Sequence, residues 1–312
     1  MSDSIAPAVS IIIISYNTRD LTLRCLKTLR DVMGNLSHEI WLVDNDSADD
    51  TLERVRAEYP EVLIIDNKEN QGFGRANNQA MERARGRYFL LLNSDAFPFE
   101  GAVQKMFEFM ESNPDVSLVG PRVLNGDGSL QRSINEFYSP LNQILDYSGW
   151  KRLAEKLRGK PNDALKGEFW LGGMCLFLRR DVWEKIGGFD PDFFFYGEDC
   201  DWQKRMRTQK MKIAYLDESH VTHLQGGSGA AKRLRTTLWY YTMLDLFIWK
   251  HYGFAGGALY RAAVAMWCAR KLAFFHARAV LGKPNDFAVK MHGFLLRHTL
   301  STSKKMQRAI PK

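Results

Sequence analysis

Three short stretches hold the side chains best suited to chemistry. The first, Tyr88 to Pro98, reads YFLLLNSDAFP, an apolar run that ends in Asn93-Ser94-Asp95. Oxygen-bearing side chains at i and i+2 can reach a hard divalent cation, and such a cation can bridge a diphosphate. The same triplet also opens ordinary turns. The second stretch, Gly197-Glu198-Asp199-Cys200-Asp201, places three carboxylates at a helix start, where the macrodipole favours acids. The aromatic run Phe193-Phe194-Phe195-Tyr196 beside it would wall one carboxylate from water and make it a better base. The third holds His220 and His223, each readable as a metal ligand or as a satisfied structural histidine.

A fourth stretch, Asn70 to Asn78 (NQGFGRANN), opens a helix with two glycines, several amides and Arg75. Free N–H groups at a helix start attract an anion. The spacing matches neither G-x-G-x-x-G nor G-x-x-x-x-G-K-[ST], so neither a Rossmann dinucleotide site nor a P-loop is indicated.

These residues need elements to hold them. Val9 to Ser15 (VSIIIIS) has the continuous β-branched character of a strand buried on both faces. A helix follows from Asp20, expected as its N-cap, to Met33, with Leu21, Cys25, Leu29 and Val32 on one face. Further apolar runs lie at Ile40–Val43, Val62–Ile65, Tyr88–Leu92 and Ser117–Val119, with helical stretches around Thr51–Tyr59, Arg75–Arg85 and Gly101–Met110. This rhythm predicts an α/β protein with a mostly parallel sheet flanked by helices. Such sheets bind ligands beyond the carboxyl ends of their strands. The polar endings Ser15-Tyr16-Asn17, Asp44-Asn45, Asn67 and Asn93-Ser94-Asp95 therefore fall at one edge. Later, FWLGGMCLFLR reads as a strand whose Gly172-Gly173 pair permits close backbone approach, and KIAYL and SHVTHLQGGSG are strand-like. The charged stretch Tyr147–Lys166 reads as a mobile lid or an insertion.

Composition sets the frame. The chain has 312 residues, 45% hydrophobic and 25% charged, which describes a globular protein. Its four cysteines form no C-x-x-C pair, so a zinc or disulfide framework is not indicated and a reducing cytosol suits the usage. The stretch MSDSIAPA lacks the regions of a signal peptide. From Lys232 onward there are 15 basic and two acidic residues, a net +13, whereas the preceding residues sum to −6. The tail is rich in Trp, Tyr and Phe, and Asp245, Lys250, Arg261 and Arg270 interrupt any apolar run of membrane-spanning length. Helices lying on an anionic membrane surface fit this pattern, with a packed helical cap or an oligomer interface as the alternative and nucleic-acid binding set aside. The expected division is residues 1–230 and 231–312.

The blocks VSIIIISYN, WLVDNDSADDT, NQGFGRANNQAM, YFLLLNSDAFP, WLGGMCLFLRRDVWEKIGGFDPDFFFYGEDCDW and VTHLQGGS, in this order over roughly residues 9 to 230, resemble the family-2 glycosyltransferases. The rhamnosyltransferase-like branch of bacterial surface-polysaccharide synthesis is the most similar, and Gly126–Ser133 (GDGSLQRS) also looks like that branch. The resemblance implies a GT-A type fold and an inverting transfer of sugar, with L-rhamnose from dTDP-rhamnose as the leading donor. A UDP- or GDP-sugar is the alternative. It implies Mg²⁺ or Mn²⁺ at Asp95 and His223, and Asp199 as catalytic base. It places the nucleotide sugar at Ser15, Tyr16, Asn17, Asp44, Asn45, Asn70, Gly72, Arg75, Asn78, Asn93, Ser94, Gly173 and Glu198. The implied acceptor is a polyprenyl-diphosphate-linked saccharide, and the implied location is peripheral on the cytoplasmic face of the cell membrane. Two residues depart from the wider family pattern: Asn93 replaces the first acid of a D-x-D motif, and Asn45 stands where many relatives have an acid that reads the base. A nucleotidyltransferase would need no acceptor-side base such as Asp199, and a non-catalytic sugar- or lipid-binding scaffold would leave both Asp95 and Asp199 dispensable.

Overall fold

The computed structural model describes residues 6–148, 150, 168–224, 233–283, 285–303, 305 and 310. The expected lid or insertion therefore lies largely outside the described residues, as does the Gln225–Ser228 part of the last sequence block. Contacts divide the chain into two compact units. One comprises Met1–Asn135, Glu168–Phe194 and Glu198–Ala230; the other comprises Glu136–Gly167, Phe195–Gly197 and Ala231–Lys312.

The first unit is built on an eight-stranded sheet of order β3-β2-β1-β4-β9-β6-β10-β5. Its strands are β1 (Val9–Ser15), β2 (His38–Asp44), β3 (Leu63–Asp66), β4 (Tyr88–Asn93), β5 (Ala96–Pro98), β6 (Val116–Leu124), β9 (Cys175–Arg179) and β10 (Lys212–His223). A separate two-stranded ribbon pairs β7 (Ile134–Glu136) with β8 (Phe169–Leu171). Strands β1 to β4 run parallel, β10 runs parallel to β6, and β9 and β5 pair antiparallel with their neighbours. The helices of this unit are α1 (Arg19–Val32), α2 (Thr51–Glu58), α3 (Phe73–Arg83), α4 (Ala102–Ser112), α6 (Arg180–Ile186) and α7 (Glu198–Thr208).

The alternating pleat explains why the central strands are apolar throughout. Val9, Ile11, Ile13, Leu90 and Leu92 pack on one face with α1 residues Cys25, Leu26 and Leu29. Ile12, Phe89 and Leu91 face the other way, onto Ala76, Ala80 and Met81 of α3 and Trp202 and Met206 of α7. Both faces are covered, as a mostly parallel sheet requires. Asp20 lies in the first turn of α1 and Thr18 takes the N-cap position, so the expected cap is shifted by two residues.

The second unit contains α5 (Pro140–Ser148), α8 (Arg233–Val280) and α9 (Asp286–His298). Gly253, at φ 63 and ψ −162, breaks α8 into two segments, a conformation that glycine adopts without steric cost. Asp245 is buried and accepts from Arg261 Nε at 2.7 Å, Arg261 Nη2 at 2.6 Å and Ser303 Oγ at 2.6 Å. After the break, Phe254, Leu259, Met266 and Phe274 are exposed, with Ala262, Ala269 and Ala273 exposed between them at helical spacing. Among the described residues no helix is long and apolar enough to cross a membrane.

Candidate active site

The register of the parallel strands sets Ser15 beside Asp44, Asp44 beside Asp66, and Ile14 beside Asn93. The expected polar endings do share one sheet edge. The chain runs outward from β1 through β2 to β3 and then returns to β4 on the other side of β1. That reversal is a topological switch point, where open α/β sheets take their ligands, at the carboxyl ends of β1 and β4. Hydroxyls gather there: Thr18 Oγ1 lies 3.3 Å from Ser15 Oγ and 3.2 Å from Ser94 Oγ.

The flanking loops are tied by their own amides. Asn17, at φ 54, donates its N–H to Ser47 Oγ, and its Oδ1 accepts from Ala48 N. Tyr16 projects beside it, exposed. Asp44 is buried and accepts from both the backbone N–H and the hydroxyl of Ser47. Burial still pushes its carboxyl above the usual range, because these two bonds only partly offset the lost hydration. Asn45 Nδ2 donates to Gly72 O, and its Oδ1 accepts from Asn67 Nδ2. Asn70 Oδ1 accepts from Gly72 N, so the loop before α3 is bound to β2 and to itself. Gly72 has φ 78, and a Cβ there would meet Phe194 O at 2.3 Å, so only glycine fits. Arg75 donates to Pro191 O through Nε and Nη2, and Asn78 clamps Phe189 by accepting from its N–H and donating to its carbonyl.

Asn93 ends β4, and Ser94 and Asp95 form the turn into β5. The triplet is therefore a turn as well as a set of candidate ligands. The antiparallel register of β5 and β10 pairs His223 with Ala96. It carries His223 Nε2 to 3.1 Å from Asp95 Oδ1, with the two side chains 12% and 13% exposed. Asn93 Oδ1 is buried and has no hydrogen-bond partner, while its Nδ2 lies 3.4 Å from His223 Nε2. A carboxylate and an imidazole nitrogen thus meet, beside an amide whose oxygen has no partner. Among the described residues no group of three His, Cys, Asp or Glu is gathered. Mg²⁺ is usually held by one or two protein carboxylates together with substrate phosphates, and Mn²⁺ accepts the same oxygen-rich set. The donors present fit such a cation. His220, the other candidate histidine, packs edge-on against Phe99.

The second carboxylate group stands at the start of α7. Asp199 Oδ2 accepts from Gly173 N at 2.7 Å and Oδ1 accepts from Cys200 N at 2.8 Å. A Cβ on residue 173 would lie 3.1 Å from that oxygen, which explains the glycine. Gln203 holds the strand beside this turn, with Oε1 accepting from Leu171 N at 2.8 Å and Nε2 donating to Leu171 O at 2.6 Å. Glu198 is 6% exposed and its Oε2 has no partner. Burial pushes its carboxyl up to about 8, with the adjacent Asp199 charge adding to the shift. Burial also raises Asp199, to about 6, and the two backbone N–H bonds keep it below its neighbour. Burial thus raises both carboxyls, and the backbone N–H bonds favour the ionised form of Asp199 over that of Glu198. Asp201 has a structural task, accepting from Arg205 Nε at 3.0 Å while Arg205 also donates to Ile186 O and Gly188 O.

The two groups meet through the backbone. Asn93 N donates to Met174 O, one residue after the Gly173 N–H that binds Asp199. Sequence reasoning missed Gln131, whose Oε1 lies 2.7 Å from His223 Nδ1, although it falls inside the GDGSLQRS stretch.

Comparison with known proteins bears on this arrangement. A low-salt glycan biosynthesis hexosyltransferase of Haloferax volcanii, Agl10, is 25% identical over 70% of this chain and 67% of its own length. The N-acetylglucosaminyl-diphospho-decaprenol L-rhamnosyltransferase of Mycobacterium tuberculosis is 24% identical over 59% of this chain, and the match spans 66% of that enzyme's length. In structure the chain is similar to the mannosyltransferase PcManGT from Pyrobaculum calidifontis in complex with GDP-Man and Mn²⁺. The TM-score is 0.54 at 15% identity, covering 99% of this chain and 89% of the other, which supports the expected GT-A-like sheet. Residues 161–226 match the model described as the N-terminal domain of galactosyltransferase. The elements from Ser10 of β1 to the end of α6 fall within the match of residues 10–186 to Glycosyl transferase family 2, and the chain belongs to that family.

Proposed function

We propose that this glycosyltransferase moves a sugar, L-rhamnose from dTDP-rhamnose as the leading donor, onto a polyprenyl-diphosphate-linked saccharide during surface-polysaccharide synthesis, with inversion. The observation that carries the reading is the anchored Asp199 carboxylate, joined through Gly173 and Met174 to the Asn93–Asp95–His223 group at the carboxyl end of β4. Asp199, ionised at neutral pH, takes the proton of the acceptor hydroxyl as that oxygen bonds to the anomeric carbon. The bond from that carbon to the diphosphate oxygen breaks on the opposite face, and the electron pair leaves with the nucleoside diphosphate. Asp95 and His223, with Asn93 Oδ1 beside them, would hold Mg²⁺ or Mn²⁺, whose charge when bound offsets that of the leaving group. Glu198, protonated by burial, is a hydrogen-bond donor for a donor-sugar oxygen. Ser15, Tyr16, Asn17, Asp44, Asn45, Asn70, Gly72, Arg75, Asn78 and Ser94 are the residues that would hold the nucleotide.

The lipid-linked acceptor is supported by the name of the mycobacterial relative, and the rhamnose donor by that name and the sequence blocks. Residues 1–230 would form the catalytic domain and 231–312 the region that associates with the cytoplasmic membrane face. The exposed Leu259, Met266 and Phe274 on α8, with basic Arg270, Lys271 and Arg278 along the same segment, suit an anionic lipid surface.

A ligand that binds only the native protein raises its stability by mass action. The test is thermal unfolding of the full chain with dTDP-rhamnose, UDP-sugars and GDP-sugars, each with and without Mn²⁺. The expected result is a Tm increase with dTDP-rhamnose that grows with Mn²⁺. Stabilisation by a GDP- or UDP-sugar alone would reassign the donor, and no stabilisation by any nucleotide sugar would remove the reading.

A further inference from the structure

The loop between β6 and β7 contains a chain of hydrogen bonds with a single allowed direction. Asp127 is an exposed carboxylate, and its Oδ1 can only accept, here from Ser129 Oγ at 2.6 Å. The Ser129 hydroxyl, having donated its proton, accepts from Asn125 Nδ2 at 2.9 Å. That fixes the Asn125 amide with Oδ1 outward, where it accepts from Gln131 Nε2 at 2.7 Å. The same Nε2 donates to His223 O at 3.0 Å, so the buried Gln131 amide is oriented twice over. Gln131 Oε1 is therefore the atom that faces His223 Nδ1 at 2.7 Å, and an acceptor there requires the proton on Nδ1. In the neutral ring Nε2 then carries its lone pair, 3.1 Å from Asp95 Oδ1. The Asn93 Nδ2 group on the same nitrogen, at 3.4 Å, is a donor and agrees with that assignment. With the ring neutral, a lone pair facing a carboxylate oxygen at this distance is unfavourable unless a cation lies between them.

We infer that the Asn125–Gln131 loop is a relay that sets the tautomer of His223, with Gln131 as the positioning residue that keeps Nε2 free for a divalent cation shared with Asp95. This rests on the cation reading above. It gives the GDGSLQRS stretch a task, since the Gly126-Asp127-Gly128 turn places the anchoring carboxylate and Gln131 delivers its effect. Partners of this kind typically change metal affinity by about 10–100-fold when removed.

The test uses the full chain and Mn²⁺ alone, with free Mn²⁺ measured by electron paramagnetic resonance, and ¹⁵N-histidine spectra of the metal-free protein at pH 9. In the wild type, His223 should carry its proton on Nδ1 and none on Nε2. Gln131→Met, which keeps the volume and removes the acceptor, should weaken Mn²⁺ binding by about 10–100-fold and move the proton toward Nε2. Gln131→Glu, which retains an acceptor for Nδ1–H, should bind Mn²⁺ close to wild type. Should Gln131→Met fail to fold, the wild-type spectrum still decides. A proton on Nε2 in the wild type overturns the relay, as does Gln131→Met binding Mn²⁺ as tightly as the wild type. If the wild type takes up no Mn²⁺ while its proton sits on Nδ1, the cation reading fails and the tautomer assignment stands.

Discussion

Glu198→Gln should change how stability depends on pH, and the direction follows from where the proton sits. In the unfolded chain a glutamate titrates near its ordinary value, whereas burial and the Asp199 charge push the folded Glu198 up to about 8. Between those values the folded state holds a proton that the unfolded state has released. Stability is thus greatest at low pH within this window and falls as pH rises toward 8. Asp199, raised to about 6, contributes the same sign of slope but finishes earlier. From about pH 6 to about pH 8 the slope from this pair therefore belongs mainly to Glu198. One pH unit of differential proton binding is worth about 1.4 kcal/mol, so the wild type should lose roughly 2–3 kcal/mol across that interval from this residue. Gln cannot titrate, and its amide fits the space of the protonated acid. Urea midpoints of both proteins at pH 6, 7 and 8 isolate the effect of the pair, because titrating groups remote from it cancel in the difference. Glu198→Gln should gain on the wild type steadily with pH. Parallel pH profiles would mean that the folded protein does not hold the proton on Glu198, and the division of charge between Glu198 and Asp199 would be wrong.

Gln203→Leu should leave both backbone groups of Leu171 without their partner, at about 1–3 kcal/mol for each buried group. Chemical unfolding would read the loss of stability, and a lower turnover would accompany it because the adjoining Gly173 N–H holds Asp199. Asp245→Ala should leave Arg261, whose side chain is 16% exposed, without its carboxylate and destabilise the second unit by about 3–5 kcal/mol. Thermal unfolding followed by tryptophan fluorescence would measure this, and the double variant with Arg261→Met should recover most of the loss.

The sequence announced what depends on local pattern. The unbroken, β-branched Val9–Ser15 run has the character of a strand covered on both faces, and the polar residues after each run fall at one edge because β1 to β4 are parallel. Asn93, Asp95 and His223 were legible as candidate ligands, but their meeting was not. It depends on β5, three residues long, and on its antiparallel register with β10, a pairing across more than 120 residues. The two strand-like pieces KIAYL and SHVTH are one strand, β10, whose register against β6 shifts between Leu216 and His220. Asp201 illustrates the opposite limit, since three adjacent acids look alike in sequence until Arg205 is seen to neutralise one of them. Gln131 gave no signal of its own because an amide acquires direction only from the neighbours that fix it. In the tail, the charge imbalance was visible, yet the turn at Gly253 that separates the two segments of α8 was not distinguishable from an ordinary helical glycine.

The most direct measurement compares donor affinity and single-turnover transfer rate in the wild type and Asp199→Asn, with Mn²⁺ present. Asparagine keeps the size of the side chain and cannot accept the acceptor proton. The donor should bind with nearly unchanged affinity, while the rate should fall by about 10²–10⁴-fold, the usual contribution of a general base. Transfer at close to the wild-type rate would place the proton acceptor elsewhere and contradict the assignment of Asp199.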